Sequence, residues 1–203
     1  MLLLYFSLKS LYNLDFEHLQ YSRMSDKDTV LNMTNHSYFN LNGHGNGNIK
    51  KHTLWLDSDF YTPNNNECMP TGEILSVKDT PFDFLKETTL ENRIESQFEQ
   101  IRMFNGFDHN FVLNGRGYRK IAKLCGDKSG IAMEVYTDTY GAQIYAAGDL
   151  DENNCKDGFL YGNHGGICIE TQFFPNALKF SHFPDVVLKK GEKYDSITSF
   201  KFI

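Results

Sequence analysis

Short alternating segments separated by turn signals dominate the chain from Gly106 onward. These segments run for five to eight residues and end at three glycine-containing pairs, Asn114-Gly115, Gly126-Asp127 and Asp157-Gly158. Period-two alternation bounded by such pairs is typical of antiparallel strands joined by tight turns. The best helical spacing, over residues 89–104, is short. The sequence therefore predicts an all-β protein, folded as an antiparallel β-sandwich or a barrel-like sheet.

The composition agrees with one β-rich domain. Aromatic residues make up 14% of the 203 residues, with 17 Phe and 11 Tyr, and aromatic side chains favour strands over helices. Residues 1–24 are interpreted as one or two strands, with a helix over Leu14–Tyr21 as the alternative. Because no repeat or linker divides the sequence, residues 1–203 are predicted to form a single domain.

Charge and cysteine usage limit the kinds of partner. The net charge is −6 and there is no basic block, so the electrostatic signature of a nucleic-acid or membrane partner is missing. The four cysteines are widely spaced without a C-x-x-C pair, which favours reduced thiols over a zinc knuckle. The first residues resemble neither a signal peptide nor a membrane span. We therefore expect a cytoplasmic protein that acts on small molecules.

A polar row is predicted within Asn32–Leu41, which reads NMTNHSYFNL. If this stretch is a strand, period-two alternation puts four polar side chains on one face, namely Thr34, His36, Tyr38 and Asn40. Such a face suits a ligand rich in hydroxyl groups, and an imidazole within it can change protonation state near neutral pH. The alternative is a solvated strand in which His36 only satisfies a neighbouring group.

A second polar row is predicted within Ile167–Gln172, which reads ICIETQ. Alternation buries Ile169 and places Glu170 on the opposite face, beside Cys168. A glutamate flanked by hydrophobic residues on a central strand is partly desolvated, which raises its pKa and makes it a usable base near neutrality. The alternative for Glu170 is an ordinary exposed acid on a strand.

Two further strands each carry a pair of polar candidates. Asp108 and Asn110 share a face of FDHNF, and Gln143 and Tyr145 share a face of GAQIY. Taken alone, each pair is as consistent with a structural role as with ligand binding.

Six motifs occur in an order that resembles the aldose 1-epimerase (galactose mutarotase) family. They are NHSYFNL at 35–41, YTPNNNECMPTGEI at 61–74, TPFDF at 80–84, FDHNF at 107–111, IETQFFPNA at 169–177 and FPDVVLKKGEKYDSITSFKF at 183–202. The resemblance covers residues 26–202. Six motifs in order are far more specific than any one of them.

The resemblance implies a galactose mutarotase-like antiparallel β-sandwich that opens the ring of a sugar hemiacetal and closes it again. It makes His36 the general acid and Glu170 the general base. It assigns Asp108 and Gln143 to the binding of sugar hydroxyls, and Tyr38 would line the pocket. The implied substrate is an aldose such as glucose or galactose, and neither a metal nor a redox cofactor is required.

The resemblance is incomplete at the start of the chain. Family members have a substantial portion before the NHSYFNL strand, with an arginine and a second histidine that contact the sugar, and nothing in residues 1–25 matches those motifs. The chain is therefore expected to be the larger C-terminal part of the family's domain. A sandwich that lacks its first strands exposes sheet edges and apolar surface, which predicts instability or self-association.

Three functions remain open from the sequence. The leading interpretation is interconversion of the α and β anomers of aldohexoses by acid/base catalysis. The first alternative is a catalytically impaired carbohydrate-binding remnant, and the second is a structural β-sandwich interaction module. Retention of both His36 and Glu170 argues against the last, because a module without catalysis needs neither.

Overall fold

A computed structural model describes the backbone of residues 4–13 and, in full, residues 15–151 and 155–203. In this part of the chain, antiparallel strands form one seven-stranded sheet, one six-stranded sheet and a two-stranded ribbon. The seven-stranded sheet has the spatial order β1 (Leu4–Asn13), β2 (Phe16–Ser25), β15 (Lys193–Phe202), β11 (Ala132–Thr137), β10 (Arg119–Cys125), β5 (Thr53–Leu56), β8 (Thr88–Thr89).

The six-stranded sheet has the order β4 (Tyr38–Phe39), β13 (Ile167–Gln172), β12 (Gly141–Tyr145), β9 (Asp108–Val112), β6 (Phe60–Thr62), β7 (Leu75–Ser76). The ribbon consists of β3 (Thr29–Val30) and β14 (Val187–Leu188). Short helices are α1 (Glu91–Ile94) and α2 (Glu99–Met103), with 3₁₀ turns at Lys156–Gly158 and Ala177–Lys179. None of the helices in the described ranges has the length and apolar character needed to cross a membrane.

One hydrophobic core joins the two large sheets. It contains Val135 of the seven-stranded sheet and Ile144 and Ile169 of the six-stranded sheet, each almost completely buried. The rings of Phe39 and Phe200, one from each sheet, lie 4.9 Å apart. Side chains from two facing sheets thus form a common core, as in a β-sandwich. The predicted all-β antiparallel sandwich is confirmed.

Strand β13 is buried on both faces. Ile167 and Ile169 belong to the core, as the alternation predicts, while Cys168, Glu170 and Gln172 on the opposite face are buried as well. The strand lies between β4 and β12, so neighbours on both sides shield it. An exposed strand acid at Glu170, the alternative left open by the sequence, is wrong.

The predicted strand over residues 32–41 is much shorter in the structure. Only Tyr38–Phe39 pairs with β13, at Cys168 and Ile167. The Asn32 side chain donates to the carbonyl of Phe173 and accepts from its N–H, both at 2.9 Å. These side-chain bonds compete with a regular ladder, so the segment before β4 is irregular.

Two other segments differ from the sequence-based expectation, and a third agrees with it. The alternating sequence of 52–61, HTLWLDSDFY, predicts one strand. The structure instead has β5 and β6 in different sheets, and between them Ser58 donates to the carbonyls of Phe60 and Val112. The helix over 89–104 is two short helices, α1 and α2. Within 1–24, β1 and β2 form a hairpin, so the predicted strands are confirmed and the helical alternative is wrong from Phe16 on. Residues 1–3 and 14 lie outside the described part.

His109 of β9 is fully buried in a neutral form. Its Nδ1 accepts the N–H of Asp108 at 3.2 Å, and its Nε2 therefore carries the hydrogen that is donated to Gln100 Oε1 at 3.0 Å. Burial lowers the pKa of His109 to about 3. Because the unfolded chain binds a proton at this histidine near pH 6.5 and the folded chain does not, stability falls as the pH drops from about 6.5 towards 3.

Replacing His109 with Gln should therefore flatten the pH dependence of stability. Between pH 6.5 and 5 we expect the variant to lose about 1.5 kcal/mol less unfolding free energy than the unchanged chain. Urea denaturation at the two pH values measures this difference. His182→Gln, at an exposed histidine, is the control and should keep the original slope; equal slopes for all three chains would contradict the assignment.

Candidate active site

The register of the six-stranded sheet brings the predicted site residues to one face. Gln143 lies opposite Glu170, and Tyr145 lies opposite both Cys168 on β13 and Asp108 on β9. Tyr38 of β4 lies opposite Cys168. Cross-strand partners in a pleated sheet point to the same side. His36 reaches this face from the segment before β4, so all five candidates from the sequence are grouped together.

His36 and Glu170 are in direct contact. The distance from His36 Nε2 to Glu170 Oε1 is 3.3 Å, and the side chains are 52% and 10% exposed. The other ring nitrogen, Nδ1, lies 3.4 Å from Cys168 Sγ. The acid and the base assigned from the resemblance thus lie side by side on one surface, not on opposite sides of a hollow.

The surroundings of Glu170 and Asp108 disfavour the charged form of both carboxylates. Burial raises the pKa of Glu170, the positive charge of His36 opposes this rise, and the negative charge of Asp108 adds to it. Burial likewise raises the pKa of Asp108, although the hydrogen bond from Gln143 opposes the shift. Glu170 is thus a stronger base than a solvated glutamate, as the sequence predicts.

A row of side-chain amides runs beside the acid/base pair. Gln143 Nε2 donates to Asp108 Oδ1 at 2.7 Å. Gln172 Nε2 lies 3.3 Å from Gln143 Oε1 and 3.4 Å from Asn110 Oδ1. Asn64, in the Asn-rich loop after β6, fixes the backbone of Asp108 through a 2.8 Å bond to its carbonyl. This network fixes the orientation of Asp108 and Gln143 before any ligand binds.

Aromatic rings border the pair. The ring centroids of Tyr38 and Tyr145 lie 5.1 and 6.0 Å from that of His36. A cavity of about 790 Å³ begins at Tyr38 and extends along residues 43–48, a segment that contains three glycines, towards Phe159. Neither His36 nor Glu170 lines this cavity, so the pair lies at its edge.

Two residues of the site were not assigned a role from the sequence, Tyr145 and Cys168. Both lie on the site face because they alternate with buried core residues in GAQIY and ICIETQ. The period-two pattern therefore contained the signal, but it did not show that the two side chains would be brought to the imidazole.

A β-sandwich that carries a histidine–glutamate pair and a row of amides on one sheet defines a class of protein suited to proton transfer on a polar small molecule. The family model of aldose 1-epimerase matches residues 6–201. The chain therefore belongs to the aldose 1-epimerase family.

Relatives of known name agree with this assignment. The chain is 41% identical to a galactose mutarotase from Bos taurus over 196 residues, which is 95% of this chain and 56% of the relative. It is 39% identical to the galactose mutarotase of Homo sapiens, and the match covers 94% of this chain and 56% of the human protein. An aldose 1-epimerase from Haemophilus influenzae is 33% identical, and the match covers 91% of this chain and 54% of the bacterial protein. The chain thus spans about half the length of these relatives.

Solved structures share the fold. An aldose epimerase homologue from C. elegans has a TM-score of 0.87 and 28% identity, with 98% of this chain and 60% of that chain covered. A galactose 1-epimerase from Lactobacillus acidophilus has a TM-score of 0.82 and 26% identity, and the match covers 100% of this chain and 62% of that chain.

The raised pKa of Glu170 predicts that its charge costs stability. A folded-state pKa above the unfolded value means that stability falls as the pH rises through that range, and Gln imitates the protonated form. We expect Glu170→Gln to raise the unfolding free energy at pH 7.5 by about 0.5–1 kcal/mol. Chemical denaturation measures this change, and a clear loss of stability would show that the contact with His36 outweighs the desolvation of the carboxylate.

Proposed function

We propose that this chain catalyses the interconversion of α and β anomers of an aldohexose. The observation that carries the proposal is the 3.3 Å contact between His36 Nε2 and Glu170 Oε1, with the carboxylate buried and the imidazole half exposed. The anomeric oxygen and the ring oxygen of a pyranose are bonded to the same carbon, so an acid and a base that lie side by side can serve both.

Each turnover needs two coupled proton transfers. Glu170 takes the proton of the anomeric hydroxyl while protonated His36 donates a proton to the ring oxygen, and the bond between C1 and the ring oxygen breaks. Rotation about the C1–C2 bond turns the open aldehyde. Return of the two protons closes the ring on the other face of the carbonyl and restores both side chains.

Neighbouring side chains would orient the sugar. Gln143 donates to Oδ1 of Asp108, and we assign the other carboxylate oxygen, Oδ2, to sugar hydroxyls. Gln143 contributes its amide to the same ligand. Tyr38, which is 48% exposed, is assigned to the wall of the pocket. These roles agree with those that the family resemblance implies.

The remaining assignments concern the whole molecule. We propose that residues 1–203 form one domain, acting on a small aldose without a nucleic-acid or membrane partner. The cytoplasmic location stays a prediction from composition.

Strand β1 is ten residues long and is the outermost strand of its sheet. A long edge strand can pair with another chain, so self-association through this edge also stays a prediction.

Anomer exchange of fresh α-D-galactose and α-D-glucose, followed by polarimetry or NMR, tests the proposed function. The unchanged chain should accelerate the exchange above the buffer rate. His36→Asn and Glu170→Gln should each lower kcat by about a hundredfold to ten-thousandfold, because each removes one positioned proton transfer. Glu67→Gln, at an exposed loop residue, is the matched control and should retain the full rate.

The alternative functions give different results in the same experiment. A folded chain that binds either sugar by calorimetry without accelerating exchange would be a carbohydrate-binding remnant. A folded chain with neither effect would contradict any carbohydrate function.

A further inference from the structure

Three side chains at the proposed active site carry the donor atoms that transition metals prefer. They are the imidazole of His36, the thiol of Cys168 and the carboxylate of Glu170. One donor atom from each lies within 4.8 Å of the other two. Two of the contacts are shorter, 3.3 Å from His36 to Glu170 and 3.4 Å from His36 to Cys168.

The two short contacts involve opposite nitrogens of the imidazole, Nε2 towards Glu170 and Nδ1 towards Cys168, and only one of these nitrogens can bind the ion. The ligand atoms therefore have to move from separations of at most 4.8 Å to those around a tetrahedral ion. With Zn–S near 2.3 Å and Zn–N near 2.0 Å, ligand atoms around zinc are about 3.3–3.7 Å apart. Cys168 and Glu170 are two residues apart on β13 and share a face, so the sheet fixes their spacing. His36 is connected to the same strand through the pairing of Tyr38 with Cys168. A small rotation of the imidazole would therefore complete a three-ligand set.

Charge and access favour a cation at this position. The negative charges of Glu170 and Asp108 act on the position of the Cys168 sulfur, and such a field attracts a cation. The His36 side chain is 52% exposed, which leaves a route from solvent and an open position for water. Nitrogen and sulfur ligands select Zn²⁺ and related ions over Mg²⁺ or Ca²⁺.

We propose that His36, Cys168 and Glu170 bind Zn²⁺ or another thiophilic divalent cation, and that the bound ion inhibits the protein. On binding, the sulfur–hydrogen bond of Cys168 breaks and a zinc–sulfur bond forms, and a protonated His36 gives up the proton of its ligating nitrogen as a zinc–nitrogen bond forms. The released protons pass to the buffer, without any change of oxidation state. The inhibitory half of the proposal rests on the proposed function, because the ion occupies the acid and the base of anomer exchange. The site is regulatory, and the proposed proton transfers use only His36 and Glu170.

The binding half is tested without sugar, using Co²⁺ as a spectroscopic probe on the full chain freed of metal with a chelator. Cobalt bound to a thiolate shows a sulfur-to-metal charge-transfer band in the near ultraviolet. We expect this band to appear at one Co²⁺ per chain and to disappear when Zn²⁺ displaces cobalt. Calorimetry then gives the dissociation constant for Zn²⁺.

Cysteine variants locate the site. Cys168→Ser should abolish the charge-transfer band and weaken Zn²⁺ binding by at least about tenfold, since even the groups that orient a metal ligand contribute tenfold to a hundredfold. Cys68→Ser, at an exposed cysteine, is the matched control and should keep both the band and the affinity. A band that persists in Cys168→Ser, or is lost in Cys68→Ser, would overturn the proposal. Circular dichroism confirms that each variant is folded.

The inhibitory half of the proposal is tested by measuring the rate of anomer exchange at increasing concentrations of Zn²⁺. Inhibition should be competitive with the aldose, should be reversed by chelator, and should need at least about ten times more Zn²⁺ in Cys168→Ser, in proportion to the lost affinity. An active chain without the cobalt band would overturn the metal site and leave the proposed function intact. A chain with the band but without activity would overturn the proposed function and the inhibitory half, and leave metal binding intact.

Discussion

The contact between a buried carboxylate and a half-exposed imidazole is the interaction on which the rest of the site depends. Taking the Glu170 charge out of water is unfavourable, and the structure offsets that cost with the imidazole of His36. On an edge strand, the carboxylate of Glu170 would be more open to water. Because β13 lies between β4 and β12, the glutamate is desolvated and its partner is held within reach.

The register of the six-stranded sheet places further polar side chains around the His36–Glu170 contact. Gln143 lies opposite Glu170 and bonds Asp108, while Asn64 and the buried His109 fix the backbone around Asp108. The polar groups are therefore preorganised by hydrogen bonds that exist before a ligand arrives, which reduces the reorganisation that binding and proton transfer require. The same preorganisation places a thiol beside the imidazole, which gives the site its proposed sensitivity to thiophilic metals.

Period-two alternation was enough to predict the class of fold and the strand that carries Glu170. It failed where side chains interrupt the ladder: Asn32 bonds the backbone of Phe173, and Ser58 bonds two carbonyls at the crossing between the sheets. Two of these partners, Phe173 and Val112, lie far away in the chain, so no local pattern reveals them. The resemblance to a family supplied the roles of His36 and Glu170, but their direct contact, and the presence of Cys168 in it, follow only from the pairing of β4 with β13.

The most direct test of this account is a carboxyl-carbon NMR titration of Glu170, in the unchanged chain and in His36→Asn. The account predicts a Glu170 pKa above the ordinary glutamate value in the unchanged chain, because the carboxylate is buried. It predicts a further rise in His36→Asn, because the charge that partly offsets burial is gone. An ordinary pKa for Glu170, or a pKa that stays the same or falls when His36 is replaced, would contradict the central claim.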